Sequence, residues 1–228
     1  MEKLLQGLRA AAEPTRLRII ALCGHAELSV NELVTILGQT QPRVSRHLKL
    51  LVEGGLLQRN KEGSRAYYRL SNEAEGLSLG QMLNDLIPDN DELHSLDLSR
   101  LSSVKAERVR YAESYADPYF QEITNLRGLW PPDEIIDEHI LEMVKGRSVQ
   151  HLLDVGTGAG RILKVLAPFI EKGTGIDNSL EMLSIARARL DQDGIRNCQV
   201  RVGDMYRLSL IHISEPTRRT PISYAVFC

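Results

Sequence analysis

A chain of 228 residues is long enough for one large domain or two small ones, and 43% apolar with 25% charged residues is the composition of a globular protein with a packed core. No run of eighteen apolar residues occurs, and residues 1–23 lack the layout of an export signal, so neither a membrane span nor export is expected and the chain is placed in the cytoplasm. The net charge of −2 hides an asymmetry: residues 1–70 hold eleven Lys/Arg against six Asp/Glu, and residues 71–107 hold two against eight. A basic first domain is the footprint of a polyanion binder, although a solvated surface can carry the same excess. Cys23, Cys198 and Cys228 have no short spacing, which gives neither a disulfide framework nor a zinc pattern.

Leu4, Leu5, Leu8 and Ala12 recur at helical spacing, and Pro14 then suits the first turn of a second helix that Gly24 is expected to end. A third helix is expected over 29–37, with Ser29 as cap, Leu33, Ile36 and Leu37 inward, and Gly38 making the turn. Thr40 caps a fourth helix over 41–53. Its Val44, Leu48 and Leu51 fall on one side, while Gln41, Pro42, Arg43, Ser45, Arg46 and Lys49 lie in the first turn or on the other side. Two short helices joined at a glycine, the second with a cationic outer face, are what insertion into a DNA major groove requires. Arginine pairs with guanine edges, and Ser45 or Gln41 can reach bases or phosphates. Strands over 56–60 and 66–70 flank a polar turn at 61–65, a hairpin whose Arg59, Lys61 and Arg65 add phosphate affinity more than sequence choice.

Three stretches carry a family resemblance: Ala12-Glu13-Pro14-Thr15-Arg16-Leu17-Arg18-Ile19, Val44-Ser45-Arg46-His47-Leu48-Lys49-Leu50-Leu51, and Gly63-Ser64-Arg65-Ala66-Tyr67-Tyr68-Arg69-Leu70. Residues 3–72 resemble the ArsR-type winged helix-turn-helix repressors of bacteria. The resemblance implies a homodimer on a double-stranded DNA operator, with release by an inducer in many members. Leu79, Met82, Leu83 and Leu86 form an i, i+3, i+4, i+7 stripe suited to the dimer seam or to covering the domain's own core. Metal-sensing members carry paired thiolates on the third helix, where this chain has Ser29 and Asn31. Hydroxyl and amide groups are poor ligands for soft metals, so no metal site is expected. Cys23 reads as core, and His25, His47 and His94 have no ligand spacing.

Residues 73–107 read as a dimerisation helix and an acidic linker, the linker from 88 being an acidic, Ser-rich boundary followed by a polar connecting helix. Tyr111, Tyr115 and Tyr119 fall four apart, a stripe for packing onto the next domain or for shielding a small-molecule pocket. Trp130-Pro131-Pro132 ends that region, and an amphipathic helix is expected over 133–144. The strand 149–155 then runs into Gly156-Thr157-Gly158-Ala159-Gly160 and a helix over 161–169. Glycine is needed where the backbone turns sharply and a ligand approaches its amides, and the helix start that follows favours electronegative groups. A second strand ends at Asp177, placed to accept both hydroxyls of a ribose, and a third, 200–204, ends at Asp204. The dinucleotide fingerprint wants glycine where Arg161 stands.

Residues 108–207 resemble part of a class I S-adenosyl-L-methionine methyltransferase, an α/β Rossmann-like fold. The resemblance implies that Asp154 with Gly156, Gly158 and Gly160 surrounds the methionine part, Asp177 holds the ribose, and Asp204 with Met205 lies by the adenine. It implies a small-molecule cofactor and leaves the acceptor and the catalytic residues unassigned. From 208 the pattern stops. Residues 208–218 and 222–228 resemble a translated sequencing-library adapter, so 208–228 are expected to carry no selected function and native sequence to end near 207. Only three strands then remain, strand 149–155 becomes an edge prone to aggregation, and the truncated second domain is expected to be marginally folded and inactive. The whole reads as a multidomain transcriptional regulator: winged helix at 1–72, dimerisation helix and linker at 73–107, partial methyltransferase at 108–207. The alternatives are a methyltransferase with an accessory winged helix, and a winged helix that binds protein.

Overall fold

The computed structural model describes residues 1–88, 90–126 and 132–204, and the side chains of 74, 75, 113 and 115–126 are not described. The expectations for Tyr115 and Tyr119 fall on side chains that are not described, and those for Trp130, Met205 and the tail at 208–228 lie outside the described residues. The chain divides into two compact units, Met1–Val104 and Lys105–Cys228. No helix among the described residues is long and apolar enough to cross a membrane.

The first unit opens with α1, Glu2–Ala11, and α2, Pro14–His25. Pro14 sits in the first turn of α2, and the Glu13 side chain accepts the Arg16 N–H at 2.9 Å, which satisfies one of the unpaired amides of the helix start. Gly24 does not end this helix. Its backbone is helical, and the chain turns extended only at Ala26. After β1, Leu28–Ser29, comes α3, Val30–Leu37, fixed by a reciprocal cap in which Ser29 Oγ accepts the Glu32 N–H and Glu32 accepts the Ser29 N–H. Gly38 follows with φ of +64°, a left-handed cap that turns the chain into α4, Gln41–Glu53. Thr40 occupies the N-cap position of α4, but its side chain makes no capping bond.

The hairpin is tighter than its composition suggests. β2, Leu57–Glu62, and β3, Arg65–Leu70, pair antiparallel up to Glu62 opposite Arg65, leaving Gly63 and Ser64 as the turn. Helix α5, Ala74–Asp85, splits the expected stripe: Leu79 and Leu83 pack on the unit's core, whereas Met82 and Leu86 are 49% and 69% exposed. Each pair is spaced i, i+4, and the two pairs lie on adjacent faces of the helix. The connecting helix expected after the acidic boundary is the start of α6, Glu92–Leu126, and it does more than connect: its Leu101 and Val104 join the same core as Ile19, Leu33, Val44, Leu48 and Leu51. Each fully buried aliphatic side chain there stabilises the fold by roughly 1.5–3 kcal/mol.

In the second unit α6 continues to Leu126, followed by α7, Asp133–Val144, then β4, Val149–Val155, α8, Arg161–Leu166, with a short 3-10 turn Ala167–Phe169, β5, Ile170–Asp177, α9, Leu180–Gln192, and β6, Cys198–Val202. The three strands are parallel in the order β4-β5-β6, which is what helical crossovers between successive strands produce. Among the described residues β4 has β5 as its one strand partner. Leu152, Leu163, Leu166, Leu183 and Val200 form the core between sheet and helices.

Candidate functional site

Helix α4 separates its two jobs by side. Val44, Leu48 and Leu51 are fully buried, while Gln41, Pro42, Arg43, Ser45, Arg46 and Lys49 are all exposed. Arg46 makes no ion pair among the described residues, and Lys49 pairs with Glu53 at 3.7 Å with both side chains largely in solvent. An exposed i, i+4 pair contributes little, so Lys49 can exchange Glu53 for a phosphate. His47 lies between the two sides, its Nδ1 buried 3.6 Å from Glu13 Oε2.

The hairpin's cations are exposed as well, but not together. Pairing sets Arg59 opposite Tyr68 and Lys61 opposite Ala66, whereas Arg65 lies opposite Glu62. Because successive residues of a strand alternate, Arg59 and Lys61 occupy one side of the ribbon and Arg65 the other. Sequence alone grouped these three; the register separates them.

In the second unit the strand ends and the glycine turn build a cradle. Gly156, Gly158 and Gly160 have φ of +75°, +52° and +78°, conformations that only glycine adopts freely. The N–H groups of Gly156 and Thr157 both reach Ile176 O, at 2.8 and 3.0 Å, which folds the turn over the end of β5. Asp177 accepts the N–H of Gly158 on one carboxylate oxygen and that of Ser179 on the other, each at 2.9 Å. Asp154 accepts the Thr157 hydroxyl at 2.6 Å. Burial pushes the Asp154 carboxyl above its ordinary range and the charge of Asp177 adds to this, with the Thr157 bond and Arg161 opposing. Gly203 N–H bonds Asp177 O at 3.0 Å, which brings exposed Asp204 to the same end of the sheet.

Thr157, Ser179 and Gly175 were not singled out in the sequence. A Cβ on Gly175 would stand 2.6 Å from Thr157 Oγ1, so glycine in β5 is what lets Thr157 reach Asp154. A Cβ at Gly156 or Gly158 would meet nothing within 4 Å, so the turn faces open space between two carboxylates. Two carboxylates that accept hydrogen bonds fit a ligand presenting cationic and hydroxyl groups better than they fit a pyrophosphate. A separate cavity of about 380 Å³ lies beside Gly160, lined by Asp137, Arg161, Lys164 and Arg189 among others; it includes neither Asp154 nor Asp177.

Residues 13–59 match the family described as bacterial regulatory protein, arsR family, and residues 152–215 match a methyltransferase domain family. The chain is 47% identical over 68 residues to the Arsenical resistance operon repressor of Escherichia coli (strain K12), a stretch that covers 29% of this chain and 58% of that protein. It is 36% identical over 97 residues to Arsenic resistance transcriptional regulator ArsR1 of Pseudomonas putida, covering 42% of this chain and 75% of the relative. The solved structure of HlyU from Vibrio cholerae N16961 aligns with 37% of this chain and 91% of its own at 34% identity and a TM-score of 0.35. The chain thus spans little more than half the length of the first of these relatives.

Proposed function

Because the chain belongs to the arsR family of bacterial regulatory proteins, we propose that it is a homodimeric, cytoplasmic transcriptional regulator that reads a double-stranded DNA operator and binds S-adenosyl-L-methionine in its second unit. The observation that carries the DNA reading is α4: three buried apolar residues hold a helix whose other side presents Gln41, Pro42, Arg43, Ser45, Arg46 and Lys49 together. A single helix of that kind fits a major groove, with Arg43 and Arg46 suited to guanine edges. The hairpin cations, Arg59 and Lys61 on one side and Arg65 on the other, are the source of phosphate contacts beside it.

Leu4, Leu5 and Leu8 on α1, Met82 on α5 and Leu86 at the C-cap of α5 are 39–69% exposed. Such surface on the first and last helices of the module supports the dimer, and a two-fold dimer reads a pseudo-palindrome. The names of the relatives refer to arsenic, but this chain has Ser29 at the N-cap of α3 and Asn31 in its first turn, and the Ser29 hydroxyl is engaged by Glu32 at 2.7 Å. We therefore propose that this position senses neither arsenic nor cadmium. The test is selection of a duplex from a randomised pool, followed by sedimentation of the complex and titration with salt. Equal affinity for selected and scrambled duplexes would overturn the reading.

In the second unit Asp154 and the Gly156, Gly158, Gly160 turn would hold the methionine part, Asp177 the ribose and Asp204 with Met205 the adenine. When bound, the cofactor supplies an electrophilic methyl group. The two carboxylates orient it by charge, and the open glycine turn lets it approach the backbone amides. This cradle also favours a second reading, a methyltransferase whose winged helix is an accessory module. Calorimetric titration with S-adenosyl-L-methionine tests the binding, and transfer of methyl to a defined acceptor would favour the enzyme.

A further inference from the structure

The structure assigns Asp97 and Arg100, both on α6, the role of positioning residues for the recognition helix, so that the first turns of α6 belong to the DNA-reading module. This rests on the DNA-binding reading of α4. Asp97 is fully buried, and both of its oxygens engage Arg18 of α2, at 2.6 and 2.7 Å from Nε and Nη2. That is the two-pronged arginine–carboxylate geometry, which fixes direction as well as distance. Three residues on, and therefore on the same side of α6, Arg100 Nη1 donates to Ile36 O at 2.9 Å.

Ile36 is next to last in α3, so its carbonyl is among those a helix end leaves without a partner inside the helix. A guanidinium there meets both the lone pair and the negative end of the helix dipole. The same Nη1 lies 3.6 Å from where a side chain on Gly38 would begin, which places it on the turn between α3 and α4. That turn decides where α4 starts and how its outer side is aimed. One polar contact holds α6 to α2, the next holds the turn, and the two cooperate because one helix carries both.

The experiment uses the full chain and a duplex that it selects from a randomised pool. Arg100→Ala is expected to lower the ratio of affinities for selected over scrambled duplex roughly tenfold, the loss typical of a charge-assisted hydrogen bond. Hydrogen exchange of the amides at 38–41 should speed up by a similar factor while those of β2 and β3 stay as they were. Arg100→Lys, which keeps a cationic donor, should recover most of both. Asp97→Asn should act in the same direction, and because Arg100 is exposed, Arg100→Ala remains informative even where Asp97→Asn unfolds. An unchanged ratio in Arg100→Ala, or an equal loss for both duplexes together with a lower melting temperature, would overturn the assignment. Failure of the parent chain to select any duplex would instead remove the DNA-binding reading itself, and the positioning role with it.

Discussion

Arg46 and Leu48 stand two residues apart on α4, one exposed without an ion pair among the described residues and one fully buried, and their alanine variants should fail in opposite ways. For Leu48→Ala the lost burial and the cavity left behind cost about 2–5 kcal/mol of stability, since Leu48 packs in the core with Ile19, Leu33 and Leu51. For Arg46→Ala the stability change should stay within about 0.5 kcal/mol, as for other surface positions. Its operator affinity, however, should fall by about 1–3 kcal/mol, the worth of a bidentate base contact. At 1.4 kcal/mol per factor of ten, that is roughly 5- to 150-fold. Scrambled DNA should register only one lost phosphate-range charge. Urea denaturation and fluorescence anisotropy with selected and scrambled duplexes at several salt concentrations measure all four quantities. An Arg46→Ala chain that loses more than about 1 kcal/mol of stability, or that keeps the parent's operator affinity, would refute the division of α4 into a packing side and a reading side.

Other variants probe other elements. Lys61→Ala should flatten the plot of log affinity against log salt by about 0.9 when its side of the ribbon faces the duplex, with little change in sequence preference, measured by the same anisotropy titrations. Gly160→Ala forces a side chain into φ of +78° with its Cβ 3.1 Å from that of Ala186, and should cost about 1–2 kcal/mol or more in denaturant unfolding of the second unit. Asp154 holds its proton more tightly in the folded unit than in the unfolded chain, because of burial first and the charge of Asp177 after it. Its contribution is therefore lost as pH rises from its ordinary range through the raised one. Asp154→Asn should remove that dependence from a melting-temperature series across acidic pH while weakening S-adenosyl-L-methionine in calorimetry.

Elements whose limits are set by local chemistry were legible in the sequence. The bounds of α4, α7 and β4 follow from apolar period and flanking Gly, Pro and Asp, and they stand where the pattern placed them. Gly24 was misleading because a helix tolerates a single glycine at modest cost when tertiary packing supports it. Asp97 was illegible for a different reason. In an acidic, Ser-rich stretch it looks like one more solvated charge, and only Arg18, 79 residues earlier in the chain, turns it into a buried anchor. In the cradle the acids and glycines were legible as a pattern, but the bond from Thr157 to Asp154 depends on space vacated by Gly175 on the neighbouring strand. Spacing along one strand carries no information about such a vacancy.

The register of the hairpin makes its posture on a duplex measurable. A ribbon laid flat with Arg59 and Lys61 toward the phosphates can displace two counterions, and laid on its reverse it can displace one. Only a ribbon entering a groove on its rim engages all three cations. Removing all three together should therefore change the salt exponent by about 1.8 for the first posture, 0.9 for the second and 2.7 for the third. A titration without any complex structure thus distinguishes a wing that leans on the backbone from one that wedges into the minor groove.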